Sequence, residues 1–75
     1  MSIENIIQAL GSKENINVVE ACMTLLRVSL KDNAAINKQA LTDFGILDVI
    51  TVPNGVQLIV GTKAQQYRDE INQYL

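Results

Sequence analysis

Ile3, Ile6, Ile7 and Leu10 fall at i, i+3, i+4 and i+7, the single apolar stripe of a short helix. Ser2 ahead of them is a natural N-cap, and Gly11 behind them can take the left-handed conformation that ends a helix. A polar loop, "GSKENIN" from Gly11 to Asn17, separates this stripe from a change of period. Val18–Cys22 begins with β-branched residues and reads as a short strand. Leu25–Leu30 reads as a second, with Leu26, Val28 and Leu30 on one face and Leu25, Arg27 and Ser29 on the other.

Asp32–Ala35 is a connection. Asn37 then caps a second short helix, since Ile36 before it and Leu41 four residues after it can close a hydrophobic staple. Gly45 follows Phe44 as its stop. Leu47–Val52 and Val56–Val60 are strands, and Asn54-Gly55 between them carries the type I′ hairpin signal. Thr62-Lys63-Ala64-Gln65 fits a capping box, opening a last helix with Ala64, Tyr67, Ile71 and Leu75 inward. The order is α-β-β-α-β-β-α. Tight joins make each strand pair antiparallel. The fold expected is therefore α+β: a four-stranded antiparallel sheet with three helices on one face. Ile50, Val52 and Ile59 then lie opposite Val49, Leu58 and Val60, so one apolar face of the second hairpin lacks helices and could dock a partner or another copy. Nothing along residues 1–75 reads as a linker, a repeat or a low-complexity tract. One domain is expected, which a longer protein could contain.

Composition narrows the function. Of 75 residues, 48% are apolar and 19% charged, a globular balance with a thin core. The net charge of −2 argues against a general nucleic-acid binder, which needs a basic stripe over phosphates. No apolar run approaches a membrane span, and nothing before Ile3 reads as a signal peptide. A single cysteine forms no internal disulfide, so a cytoplasmic setting is the default. The chain has no histidine, which excludes a Cys/His dyad, a Ser/His/Asp triad and Cys/His zinc sites within it. Glu20, Asp32 and Asp48 are scattered rather than paired for acid–base work. Gly55 to Gly61-Thr62-Lys63 has the wrong spacing for a phosphate loop. Lys13 reads as a solvated loop side chain, with a place near a bound phosphate as the alternative, and Tyr67 and Tyr74 read as helix packing.

What chemistry remains belongs to Cys22. A lone cysteine is commonly a small buried hydrophobe. Strand parity argues for the opposite placement. If Leu26, Val28 and Leu30 face the helices, the inward residues of the first strand are Val19 and Ala21. Cys22 then shares the outer face with Glu20, at the strand end where the hairpin turns. An outward cysteine on a tight turn has backbone amides around it that can hold an oxyanion, and Arg27 projects from the same face of the next strand. At this level both readings stay open.

"KENI", "ACMTLLRVSLKD", "LTDFGILDVI" and "NGVQLIVGTKAQQYRDEI" together resemble the glucose-type enzyme IIB domain of the bacterial sugar phosphotransferase system. The likeness runs from about Ile3 to Ile71 and is most specific around the cysteine. It implies the same antiparallel sheet with helices on one face, and a phosphocarrier role. A phosphohistidine on a IIA domain would give its phosphoryl group to Cys22, which would pass it to a sugar held by the membrane-embedded IIC domain. Cys22 and Arg27 would carry the chemistry, with Met23 and Thr24 binding the transferred group. No cofactor, metal or nucleic acid is implied. The domain would sit in the cytoplasm, at the inner face of the membrane through IIC.

One departure bears on activity. The family motif is usually Cys-x-Thr-Arg-Leu-Arg, and here it reads Cys22-Met23-Thr24-Leu25-Leu26-Arg27. Leu25 stands where the first arginine belongs. Leu25 and Arg27 have equal parity, so the family places two guanidinium groups beside the sulfur and this chain places one. The phosphoryl group would lose one bidentate donor. Two classes of function are therefore carried forward: a phosphocarrier using Cys22, and a non-enzymatic or regulatory interaction module that keeps the fold with impaired transfer.

Overall fold

The computed structural model describes Ser2–Leu75. Helix α1 spans Ile3–Ala9, and a 3-10 turn over Lys13–Asn15 leads into strand β1, Ile16–Cys22. Strand β2 is Leu25–Leu30, followed by a second 3-10 turn, Asn33–Ala35, and helix α2, Lys38–Asp43. Strands β3, Asp48–Val52, and β4, Gly55–Ile59, precede helix α3, Ala64–Asn72. All pairings are antiparallel and the strand order is β1-β2-β4-β3. The expected fold class and element order are both found. Among the described residues no helix is long and apolar enough to cross a membrane.

The alternation of β2 is the origin of the layer structure. Leu26, Val28 and Leu30 are buried, and the register sets Ala21 and Leu58 beside Leu26, and Val19 and Val56 beside Val28. Against this inner face pack Ile6 and Leu10 of the first helical segment, Leu41 of α2, and Ala64 and Ile71 of α3, all completely buried. A fully buried Leu or Ile stabilises the fold by about 1.5–3 kcal/mol, so these side chains hold the helices to one side of the sheet. Leu26→Ala, at a fully buried position of a central strand, is expected to cost about 2–5 kcal/mol.

Local signals were kept at several ends. Asn37 caps α2 through its side chain, which accepts from Ala40 N at 3.0 Å, and Ile36 packs on the core as the staple requires. Gly11 and Gly45 have left-handed φ of 98° and 93°, as helix stops do. Ser2 is the N-cap of α1 but makes no side-chain capping bond.

Elsewhere the structure corrects the sequence reading. Strand β1 starts at Ile16, not Val18. Ile16 pairs with Leu30 and Val18 with Ser29, so a bulge at Asn17 lets Ile16 and Val19 both face the core while Val18 is exposed. The bulge breaks the two-residue period on which the earlier boundary relied. The β3–β4 turn is Pro53–Asn54, not Asn54-Gly55: Val52 pairs with Gly55, and Asn54 alone has a left-handed φ, 56°. Pro53 presets the first turn position and Asn tolerates the second, which removes any need for a type I′ turn. Gly55 is instead required by packing, because a Cβ there would collide with the Val28 carbonyl oxygen. The correction moves the register by two residues, so the face assignments survive it. The capping box at Thr62 does not form. Helix α3 starts one residue too late for it, Lys63 occupies the N-cap, and no side-chain cap bond is made. Tyr67 packs on the core, but Leu75 lies beyond the helix and is exposed.

The polar loop before β1 hides a structural knot. Asn15 is buried, its Nδ2 donates to the carbonyls of Leu10 (2.8 Å) and Asp32 (2.9 Å), and its Oδ1 accepts from Asp32 N (2.9 Å). Its own carbonyl accepts from Lys31 N at 2.9 Å. The end of α1, the start of β1 and the end of β2 are thereby fastened together. A buried amide is tolerable only when satisfied in this way.

Candidate functional site

With all helices on one side, the other face of the sheet is open and its residues fall in three rows read from the pairings. Cys22, Leu25, Ile59 and Asp48 form the row at one end; Glu20, Arg27, Gln57 and Ile50 form the next; Val18, Ser29, Gly55 and Val52 form the third. Cys22 is a free, exposed thiol on this helix-free face. The parity argument therefore holds against the buried alternative.

The turn that follows gives Cys22 its setting. Cys22 pairs with Leu25, leaving Met23 and Thr24 as a two-residue turn. Met23 is 82% exposed and has φ 53°. A left-handed residue with a side chain costs about 1–2 kcal/mol, so the turn is strained. The turn is held because Val60 N donates to the Thr24 carbonyl at 2.9 Å, fixing it against the end of β4. The Met23 and Thr24 amides make no bond to a protein acceptor among the described residues, leaving both donors available in the turn that follows Cys22.

Arg27 is exposed, on the same face, diagonal to Cys22 across the β1–β2 pair. Such diagonal neighbours lie about 7–8 Å apart, within reach of a long guanidinium side chain. Among the described residues Arg27 makes no ion pair; the one found joins Arg68 to Asp69. Leu25, where the resemblance leads one to expect an arginine, is half-buried and pairs with Ile59, so the ground next to the thiol is apolar.

The structure thus brings together Cys22, Met23, Thr24 and Arg27. Lys13 stays apart, at the far end of β1; seven strand residues span roughly 20 Å. There it lines an open cleft of about 350 Å³ with Glu4, Gln8, Ser12, Glu14 and Tyr74. Tyr74 is exposed rather than packed, its hydroxyl donating to Glu4 Oε1 at 3.0 Å, which raises the Tyr74 pKa. The Ser12 hydroxyl donates to Glu14 Oε2 at 2.8 Å and, with a backbone amide and the nearby lysines, lowers the Glu14 pKa.

Two neighbours of Arg27 were not singled out from the sequence. Glu20 stands directly opposite it on β1 and Gln57 directly opposite it on β4. The parity of Glu20 with Cys22 was a usable signal for the first. Nothing local pointed to Gln57, whose place depends on β4 pairing with β2.

Comparison with known proteins bears on the family and the fold. Residues 4–37, which contain the whole Cys22–Arg27 segment, match the family model described as phosphotransferase system, EIIB. The chain is 37% identical over 70 residues to the PTS system glucose-specific EIICBA component of Staphylococcus carnosus (strain TM300), a match covering 93% of this chain and 10% of that protein. The chain thus spans about a tenth of the length of this relative. One domain of the PTS system IIabc component from Clostridium difficile, solved by crystallography, superposes with a TM-score of 0.77 at 24% identity, over 97% of this chain and 78% of that one. That likeness concerns the fold. The chain belongs to the enzyme IIB family of the phosphotransferase system.

Proposed function

We propose that the domain is a phosphocarrier: Cys22 accepts a phosphoryl group from a phosphohistidine of a IIA domain and hands it to a sugar bound by a IIC domain. The observation that carries this reading is the exposed Cys22 on the helix-free face, with two free amides in the turn that follows it and Arg27 one row away. As a thiolate, its sulfur attacks phosphorus, the S–P bond forms as the N–P bond breaks, and the bonding pair returns to the imidazole nitrogen of the donor. In the second transfer a sugar hydroxyl attacks phosphorus, the thiolate leaves, and the hydroxyl proton passes to a base outside this chain. Phosphoryl transfer needs mainly positioning and charge stabilisation, which the amides of Met23 and Thr24 and the Arg27 guanidinium can supply. The absence of histidine is no obstacle, since a thiolate needs no general base.

The name of the Staphylococcus relative, a glucose-specific EIICBA component, supports IIA and IIC as partners, glucose as the class of sugar, and residues 1–75 as one domain of a longer protein; a place on the cytoplasmic side of the membrane, beside IIC, belongs to the same proposal. A second reading, an interaction module with transfer impaired, is favoured by one observation, Leu25 at the arginine position. Incubation with the phosphorylated IIA domain of that relative, followed by intact mass and peptide mapping, tests both. The expected result is one phosphoryl group on Cys22 and none on Cys22→Ser, whose hydroxyl has no base. An unlabelled but folded parent chain would favour the interaction module.

A further inference from the structure

We propose that Glu20 sets how readily the phosphoryl group leaves Cys22; the inference rests on the phosphocarrier reading. Glu20 and Cys22 are two residues apart on one strand, both exposed on the helix-free face, and Glu20 is the direct cross-strand partner of Arg27. Among the described residues its carboxylate makes no hydrogen bond or ion pair, so no structural task occupies it. The strand rise places the two side chains about 7 Å apart. Phosphorylation adds up to two negative charges at Cys22 beside this fixed one.

Two consequences follow with the same sign. The carboxylate repels the phosphoryl group, and it competes with that group for Arg27. With Leu25 in place of an arginine, Arg27 is the one cation in the two rows around the thiol, so the competition is not buffered by a second. At 7 Å in water, the repulsion alone disfavours the phosphorylated form about twofold at physiological salt and about eightfold at low salt. Glu20 therefore keeps phosphocysteine reactive: the N–P bond of the donor exchanges for an S–P bond that is easier to pass on. The domain acts as a carrier instead of a store.

The test uses the whole chain with Glu20→Gln, and Glu20→Asp as the charge-retaining control. At equilibrium with a fixed ratio of phosphorylated to free Staphylococcus IIA domain, the ratio of phosphocysteine to free thiol should be two- to eightfold higher in the Gln variant, the gap shrinking as salt is raised, with unchanged thermal stability. The Asp variant should resemble the parent. A second readout needs no donor: a doubly anionic aromatic disulfide should react with Cys22 several-fold faster in the Gln variant at low salt, and a neutral dipyridyl disulfide should gain clearly less. A parent chain that takes no phosphoryl group overturns the phosphocarrier reading and this inference with it. A labelled parent with the Gln variant unchanged in both readouts overturns this inference alone.

Discussion

The two hairpin turns of the sheet have the same length and opposite character. Each is two residues long and each holds one left-handed residue with a side chain, Met23 at φ 53° and Asn54 at φ 56°. In the second turn Pro53 presets its own φ and Asn accepts the left-handed region through its short polar side chain, so closure is cheap. Gly55 after it lets β4 approach the β2 backbone closely. The first turn has none of these aids. Its left-handed position carries methionine, its tip is open to solvent, and it shares with the second turn only the kind of bond that Val60 N makes to Thr24 and Leu30 N to Asn54 among the described residues. The difference lies in what each turn presents. Pro53–Asn54 only joins strands, whereas Met23–Thr24 presents a thiol and two amides, and it is there that the backbone is strained.

The largest expected effect falls on the well-built turn. Gly55→Ala forces a Cβ into the Val28 carbonyl and should cost roughly 2–3 kcal/mol, read from the denaturant midpoint. A loss under half a kcal/mol would show that β4 can shift, and would remove the packing half of the contrast. Next comes Leu25→Arg, which returns a second cation to the row of Cys22. It should speed phosphoryl transfer several-fold, up to about tenfold, at small stability cost because the side chain is only half-buried on the outer face. Unfolding of this variant would mean that the Leu25–Ile59 pair matters more to the sheet than its exposure implies.

The contrast itself is tested by two exchanges of about 1 kcal/mol each. Met23→Asn should stabilise the domain by about that much, since Asn takes the left-handed region more easily, and Asn54→Ala should destabilise it by a similar amount. Equal signs for the two would deny any difference in strain between the turns. The smallest effect lies at the opposite end of β1 from Cys22. Ser12→Ala removes the hydroxyl that lowers the Glu14 pKa, so the Glu14 titration followed by NMR should move up toward the ordinary glutamate range. A carboxyl with a lowered folded pKa supports the fold above its unfolded value and loses that support as pH falls through the folded one. The parent should therefore have slightly more acid-sensitive stability than Ser12→Ala, while Cys22 reactivity stays the same in both.

Much of this fold could be read from the chain because its signals are local. The alternation in Leu25–Leu30 defines β2 to the residue, Asn37 with Ile36 and Leu41 defines the start of α2, and the parity of Glu20 and Cys22 turns the thiol outward. Each depends on side chains within one helical turn or on one strand, where spacing alone sets direction. Tertiary structure decided the rest. Asn15 looked like a loop residue because its partners, Leu10, Lys31 and Asp32, lie up to 17 residues away in the chain. Asn54-Gly55 looked like a turn because nothing nearby reveals that β2 needs the glycine. Residues on separate strands become neighbours only through strand order, and pairing β4 with β2 is what sets Gln57 beside Arg27 and Ile59 beside Leu25, near the thiol. Which edges pair is settled by the shared burial of Leu26, Val28, Val56 and Leu58 under the helices, a sum over the whole core that no short stretch of sequence contains.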